Sequence, residues 1–192
     1  MDMEEAFRLL VDEYSRMAES YDAHVVPYFA PLARKLIEIA ELGPGERVLD
    51  LGSGTGNVAF LAARRVGSTG RVVGIDLAEG MVRLANAKAA RDGVRNASFV
   101  HMDCRQIGYP DASFDVVLSC LGVPSVGHGR VFTEAFRVLR PRGRFVFCEW
   151  SKGLAARATA GRVFRETLEK YRPSMPPGDV RRLLGAPRTG TG

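Results

Sequence analysis

The chain has 192 residues, a length that fits one domain. Apolar residues make up 46% of it, which is enough to bury a core and excludes an intrinsically disordered chain. The net charge of +5 is unevenly placed, since residues 1–150 carry 18 basic and 19 acidic side chains, whereas residues 151–192 carry 9 and 3. The basic end predicts a solvated tail; a patch for acidic substrates, nucleic acid or membrane is the alternative.

Features that are absent from the sequence indicate where the protein is located and whether it binds a metal. No apolar run approaches the roughly 18–20 residues that span a bilayer. The first ten residues are acidic and do not resemble a secretion signal. Three widely spaced cysteines, Cys104, Cys120 and Cys148, indicate buried thiols in a reducing compartment, without disulfide or zinc spacing. We therefore expect a cytoplasmic protein with no membrane span and no metal.

The N-terminal 42 residues are predicted to form a helical cap. Residues 3–22 are acidic and carry apolar side chains at helical spacing. A second helix is expected to begin near Pro31 and to end at the Gly-Pro-Gly sequence of residues 43–45.

From residue 47 onward, short apolar strands alternate with helices. The expected strands are 47–51, 71–75, 97–102, 114–120 and 144–149, and the helices between them are 58–66, 78–91 and 131–139. Residues 141–143 are expected to form the turn into the fifth strand. Nearly all-apolar strands are typical of a parallel sheet covered on both faces. The pattern predicts an α/β fold over residues 43–151, a doubly wound and mainly parallel sheet that binds ligands beyond the carboxyl ends of its strands.

A glycine-rich turn follows the first strand. Residues 48–56 read Val-Leu-Asp-Leu-Gly-Ser-Gly-Thr-Gly, so a buried strand delivers Asp50 and then three alternate glycines, Gly52, Gly54 and Gly56. Glycines permit positive φ and let a ligand approach the backbone. An ordinary strand–helix turn needs fewer of them, which favours a ligand-binding loop.

Asp76 ends the second strand twenty residues after Gly56, where a carboxylate can accept hydrogen bonds from a ribose diol. A turn or capping residue is the alternative.

The dinucleotide motif G-x-G-x-x-G is broken, because Asn57 occupies the place of its third glycine. A pyrophosphate prefers backbone N–H groups, whereas Asp50 suits a cationic ligand. The spacing therefore disfavours a nicotinamide oxidoreductase.

These motifs resemble the S-adenosylmethionine (SAM)-binding motifs of class I, Rossmann-like methyltransferases over roughly residues 14–151. Residues 99–104, 111–117 and 136–144 resemble the later motifs of that class. Within it, the sequence is most similar to ubiquinone/menaquinone-biosynthesis C-methyltransferases and related small-molecule enzymes, which share the Tyr-Asp pair at 21–22 and a segment like residues 149–152. The resemblance implies SAM as cofactor and S-adenosylhomocysteine as product.

The resemblance also implies a site. The methionine part of SAM would be held by Asp50, Gly52, Ser53, Gly54 and Gly56, and its end would also meet the backbone carbonyls of Ser119 and Cys120. The ribose would be held by Asp76, the face of the adenine by Leu77 and its edge by Asp103 and Cys104. Tyr21 would cap the cofactor. For Leu77, Cys104 and Tyr21, ordinary packing is the alternative.

Methyl transfer needs positioning above all, because the cofactor carries the electrophile. An acceptor that must lose a proton needs a base, for which His128 and Tyr21 are the candidates and His24 a weaker one. Lone histidines are more often surface or packing residues.

Two departures from the class bear on function. Residues 121–127 differ from the quinone enzymes, which argues against a quinone acceptor, and the absence of a Pro-Pro-aromatic signature argues against DNA amino-methylation. After residue 149 we expect a helix over 155–171 and a basic tail to 192, without the two further strands usual in the class. The exposed sheet edge would suit a homodimer.

The sequence thus predicts a small-molecule methyltransferase; an RNA or protein methyltransferase, or a non-catalytic SAM-binding module, is the alternative.

Overall fold

The computed structural model describes residues 2–123 and 127–149. Six helices are present in these residues: α1 (Met3–Arg16), α2 (Ala18–His24), α3 (Val26–Ala40), α4 (Asn57–Val66), α5 (Glu79–Arg91) and α6 (His128–Val138). Five strands accompany them: β1 (Arg47–Leu51), β2 (Arg71–Asp76), β3 (Ala97–His101), β4 (Phe114–Cys120) and β5 (Leu139–Cys148). The predicted helix over 155–171 lies outside the described residues.

The five described strands form one parallel sheet in the order β3-β2-β1-β4-β5. Val48 of the central strand lies opposite Val72 on one side and Val116 on the other. One face packs against α3, α4 and α5, and the other against α6 and the loop containing Ile107. Strand order reverses between β1 and β4, which confirms the predicted doubly wound fold and places the ligand edge at their carboxyl ends.

The N-terminal helices differ from the prediction. The expected stretch over residues 3–22 is divided at Met17 into α1 and α2. The next helix begins at Val26, five residues before Pro31, because Pro27 already occupies the first turn, where a missing N–H costs nothing. Pro31 therefore lies inside α3, whose buried face packs into the sheet core.

The predicted turn at residues 141–143 is instead a bulge within β5. Leu139 already pairs with Phe114, and pairing resumes with Arg144 opposite Val116. Pro141 has no N–H to give to the ladder and Arg142 has φ 69°, so the chain leaves the sheet between the two paired residues.

Candidate functional site

The turn from β1 into α4 is the glycine loop, residues 52–56. Its three glycines all have positive φ, with 65° at Gly52, 54° at Gly54 and 93° at Gly56. A β-carbon added to Gly52 would lie 2.5 Å from the Cα of Gly122, so this glycine is required for close backbone packing. At Gly54, by contrast, no atom of the described residues lies within 4 Å of an added β-carbon. The loop is thus packed on one side and open at its centre.

Asp76 ties the glycine loop to the end of β2. One of its carboxylate oxygens accepts a hydrogen bond from the Gly54 N–H at 2.8 Å, and the other accepts one from the Ala78 N–H at 2.8 Å. Burial raises the pKa of Asp76 in spite of these hydrogen bonds. Each carboxylate oxygen can accept a second hydrogen bond, which leaves capacity for a ligand hydroxyl on both.

Asp50 is a buried carboxylate with an unsatisfied oxygen. The residue is 1% exposed, and its Oδ2 has no hydrogen-bond partner among the described residues. Ser53 Oγ, in the adjoining loop, is a second such atom. Burial, followed by the negative charge of Asp76, raises the pKa of Asp50 well above its usual value. Unsatisfied buried acceptors are rare and costly, so this pair indicates a place for a bound donor or cation.

Tyr21 lies over the same end of the sheet. Its ring meets that of Tyr14 edge to face at 5.7 Å, and both pack on the cluster of Ala18, Ala78 and Met81. Burial raises the pKa of Tyr21, and the charges of Tyr14, Asp76 and Cys120 raise it further. The phenol therefore stays protonated at neutral pH, which favours a role as hydrogen-bond donor over one as base.

The end of β3 contributes Asp103 and Cys104. Asp103 is bound through both carboxylate oxygens by Arg105, at 2.8 Å from Nη2 to Oδ2 and 3.1 Å from Nε to Oδ1. Burial would raise the pKa of Asp103, but these hydrogen bonds outweigh it and lower the pKa. Burial, with help from the charges of Asp103 and Asp76, raises the pKa of Cys104 to about 12, so this thiol is unreactive.

Arg105 also connects this loop to the N-terminal helix. Its Nη1 donates to Glu4 Oε1 at 3.0 Å, and its guanidinium lies 5.0 Å from the centre of the Phe7 ring. Helix α1 is held a second time at Gly80, whose N–H donates to Ser15 Oγ at 2.7 Å. Helix α1 is therefore held to the segments that follow β2 and β3.

The end of β4 carries the other predicted contacts. Ser119 is fully buried, and its hydroxyl donates to the Leu51 carbonyl at 3.0 Å, so its side chain serves the sheet. The Cys120 thiol lies 3.4 Å from that of Cys148 on the neighbouring strand. The hydrogen bond with Cys148, together with burial, raises the pKa of Cys120, and the charge of Asp50 adds to this effect.

The histidine candidates have local partners. His128 opens α6, with Nε2 2.7 Å from Glu149 Oε1 and its ring 4.9 Å from that of Phe132. His24 Nδ1 lies 3.0 Å from the Ser20 carbonyl on its own helix. Tyr21, Asp50, Cys104 and Cys120 each lie close enough to a negative charge of this group, that of Asp76 or Asp50, for it to raise their pKa, so the fold brings these predicted site residues together. Leu77 adjoins Asp76, and its carbonyl faces His101 Nε2 at 2.8 Å.

Sequence reasoning missed three residues behind the glycine loop. Asp22 accepts a hydrogen bond from the Thr55 hydroxyl and an ion-paired one from Lys88 Nζ at 2.6 Å. Lys88 also donates to the Thr55 carbonyl at 3.0 Å. The Tyr-Asp pair at 21–22 was a signal for Asp22, but a threonine between glycines and a lysine on a helix carry no local sign of this contact.

Within residues 2–123 and 127–149, no helix combines the length and the apolar character needed to cross a membrane. The same part of the chain contains no group of three or more His, Cys, Asp or Glu side chains placed to hold a metal ion.

Known proteins share both sequence and fold with this chain. A family model described as a methyltransferase domain matches residues 42–176. The aklanonic acid methyltransferase of Streptomyces sp. is 43% identical over 110 residues, which cover 57% of this chain and 50% of that protein. A ubiquinone/menaquinone biosynthesis C-methyltransferase of Hydrogenovibrio crunogenus is 37% identical over 121 residues, covering 62% and 48% respectively. The chain thus spans about half the length of the curated relatives it matches.

The fold has solved counterparts. The crystal structure of a SAM-dependent methyltransferase from Aquifex aeolicus superimposes with a TM-score of 0.59 and 23% identity, over 70% of this chain and 78% of that one.

Proposed function

The chain belongs to the methyltransferase-domain family, and on this premise we propose that it transfers a methyl group from SAM, the cofactor of that family, to a small-molecule acceptor. The observation that carries the proposal is the unsatisfied carboxylate oxygen of Asp50 beside a glycine loop that is open at Gly54. The two relatives described above are named for aklanonic acid and for ubiquinone/menaquinone biosynthesis, which supports an acceptor of small-molecule type.

The residues present fit SAM. The ammonium and sulfonium of SAM are cationic, and a buried carboxylate with a free acceptor position matches such a ligand. The space over Gly54 admits the methionine part, and Asp76 retains acceptor positions for a ribose diol. Leu77, Asp103 and Cys104 would surround the adenine. Gly52 and Gly56 shape the loop, and Ser53 Oγ, like Asp50 Oδ2, is a buried polar atom without a hydrogen-bond partner among the described residues.

Bound SAM supplies a methyl group on a positively charged sulfur, which an acceptor attacks in line. The chain then has to hold the two reactants and exclude water, and orientation of this kind is worth up to roughly 7–11 kcal/mol. Tyr21 would close the site as a protonated donor. If the acceptor must lose a proton, His128 is the proposed base, because Glu149 lies 2.7 Å from its Nε2 and would orient the imidazole.

The proposal also covers the location of the protein and its assembly. A cytoplasmic location is consistent with three free cysteines. A homodimer along β5 is consistent with the position of this strand at the edge of the described sheet, where Phe147 is 41% exposed.

Isothermal titration calorimetry with SAM, S-adenosylhomocysteine and NAD tests the cofactor assignment. We expect heat of binding with the first two and none with NAD, because the loop lacks the dinucleotide spacing. A screen with methyl-labelled SAM against small-molecule extracts, beside RNA and protein fractions, then tests the acceptor class. Label found only in RNA or protein would reject the small-molecule assignment, and binding without any transfer would indicate a non-catalytic domain.

Replacing Asp50 with asparagine should stabilise the free protein and weaken SAM binding. The folded protein holds the pKa of this carboxyl above the unfolded value, which is about 3.9. The protonated carboxyl therefore makes a contribution to the stability of the folded protein that is fully present below the unfolded pKa and is lost as the pH rises through the folded pKa. Asparagine does not ionise, so the stability advantage of the variant should grow with pH and then become constant. Urea unfolding from about pH 4 to pH 8 measures it.

Asp111→Asn is the matched control for this experiment. It removes a carboxylate that is 78% exposed, so the stability difference from the native protein should stay small across the same pH range. An Asp50→Asn advantage that is absent, or that declines as the pH rises, would contradict a buried ionisable Asp50. Native SAM affinity in that variant would contradict its place in the site.

A further inference from the structure

We propose that Asp22 is a positioning residue for the cofactor, which fixes helix α2 and the glycine loop in one arrangement through Thr55 and Lys88. This inference rests on the proposed function, since it concerns the same SAM site. Asp22 lies on α2, Thr55 in the glycine loop and Lys88 on α5, so the three side chains join three separate parts of the fold.

Asp22, Thr55 and Lys88 form a triangle of three hydrogen bonds. One oxygen of Asp22 accepts from both the Thr55 hydroxyl and Lys88 Nζ, the latter at 2.6 Å, and Lys88 Nζ also donates to the Thr55 carbonyl at 3.0 Å. Thr55 is therefore held through its side chain and its backbone at once. It is 1% exposed, so the triangle lies on the packed side of the loop, away from the open space over Gly54.

Partial burial makes this ion pair more than a surface contact. The side chains of Lys88 and Asp22 are 16% and 26% exposed, whereas those of Lys35 and Glu38 in α3 are 61% and 67% exposed. Exposed pairs contribute little, but removing one partner of a shielded pair leaves the other charge poorly solvated. Lys88 Nζ also lies 5.5 Å from the centre of the Phe60 ring in α4, a cation–π contact that adds to the attraction holding the ammonium in place.

The arrangement acts on two cofactor-binding elements together. Tyr21, adjacent to Asp22, is the residue proposed to cap the cofactor, and Thr55 stands between Gly54 and Gly56. A loop and a cap that are already in their bound arrangement bind a ligand with less loss of conformational entropy. Loss of the triangle should therefore weaken binding and speed release of the cofactor, since both the cap and the loop would need to be ordered during binding.

The test compares Thr55→Val, which removes the hydroxyl and nearly keeps the shape, with Thr55→Ser, which keeps the hydroxyl. Affinity and dissociation rate for S-adenosylhomocysteine are measured by calorimetry and surface plasmon resonance. We expect about tenfold weaker binding and faster dissociation for Thr55→Val, the loss of one hydrogen bond to a charged group, and near-native values for Thr55→Ser. Asp22→Asn, which keeps the shape and removes the charge, should also weaken binding. Glu38→Gln, which removes the exposed pair in α3, should bind as the native protein does.

Coupling separates a positioning role from general stabilisation. In the double variant Asp22→Asn/Thr55→Val, the loss of affinity should be smaller than the product of the two single losses, because both changes remove the same contact. Losses that multiply, or Thr55→Val binding within about twofold of native, would overturn the proposal.

Hydrogen exchange of α2 in the ligand-free protein provides a readout independent of binding. Thr55→Val should increase exchange in residues 18–24, although the substitution lies 33 residues away. Unchanged exchange in these residues would overturn the inference. If the native protein bound neither SAM nor S-adenosylhomocysteine, the proposed function would fail, while the exchange experiment would still decide whether Thr55 holds α2.

Discussion

Substituting Gly54 with valine should abolish SAM binding and leave the sheet folded. Gly54 has φ 54°, and an added β-carbon would point into a space that no atom of the described residues occupies within 4 Å. The left-handed backbone costs a side chain about 1–2 kcal/mol, which a domain with a buried five-stranded sheet should tolerate. The branched side chain would then fill the volume proposed for the methionine part of SAM. Calorimetry should show no heat with SAM, and circular dichroism should show the native content of helix and strand.

Gly93→Val supplies a control with the same backbone cost. Gly93 has φ 66° and lies just after α5, and an added β-carbon there also meets no described atom within 4 Å. This variant should lose a similar amount of stability and keep native SAM affinity. Comparable loss of binding in both variants would show that strain alone explains the effect, and normal binding by Gly54→Val would remove the cofactor from this space.

Replacing Asp76 with alanine should weaken SAM binding by about 100-fold or more, because the two ribose hydroxyls lose their acceptor, at about 1–3 kcal/mol for each unsatisfied group. The Gly54 and Ala78 N–H groups lose their acceptor as well, which lowers the stability of the free protein. The free protein should remain folded. Burial already raises the pKa of Asp76, so its ionised form is unfavourable in the folded state. Calorimetry with S-adenosylhomocysteine gives the affinity, and thermal unfolding without ligand gives the stability.

Asp111→Asn again serves as control, since its exposed carboxylate pairs with Arg137 on the outside of the fold. Its affinity should equal that of the native protein. An Asp76→Ala variant with native affinity would refute the ribose assignment, and one that does not fold would show that the carboxylate serves the loop before it serves a ligand.

The strands and the glycine loop could be predicted because their signals are local. Strand β1 and strand β4 have the predicted bounds, since each contains a short apolar run, Val48-Leu49 and Val116-Val117-Leu118, with a clear turn on either side. Asp50 was identified because it directly precedes the three alternate glycines, and Asp76 because it ends the next strand twenty residues after Gly56. Where the signal was a proline the prediction failed: Pro31 lies inside α3 instead of beginning a helix, and residues 141–143 form a bulge within β5 instead of a turn before it.

The contacts that assemble the site could not be predicted in the same way. Asp22 and Lys88 are 66 residues apart, and Arg105 and Glu4 are 101 apart. The Tyr-Asp pair at 21–22 marks Asp22 but does not indicate its partner, and Lys88, Arg105 and Glu4 each look like an ordinary charged residue on a helix or in a loop. Their partners are decided by how α1 and α2 lie across the carboxyl edge of the sheet, which is a property of the tertiary fold.

The contact between Gly52 and Gly122 has a consequence for divergence within the family. A β-carbon on either residue would overlap the backbone of the other, so neither position can change without displacing β1 or β4. The segment where this chain departs from the quinone enzymes, residues 121–127, contains Gly122 and continues beyond it. We expect homologues with different acceptors to keep both glycines and to vary downstream of them. The specificity for the acceptor would then change during evolution while the residues that bind the methyl donor stay the same.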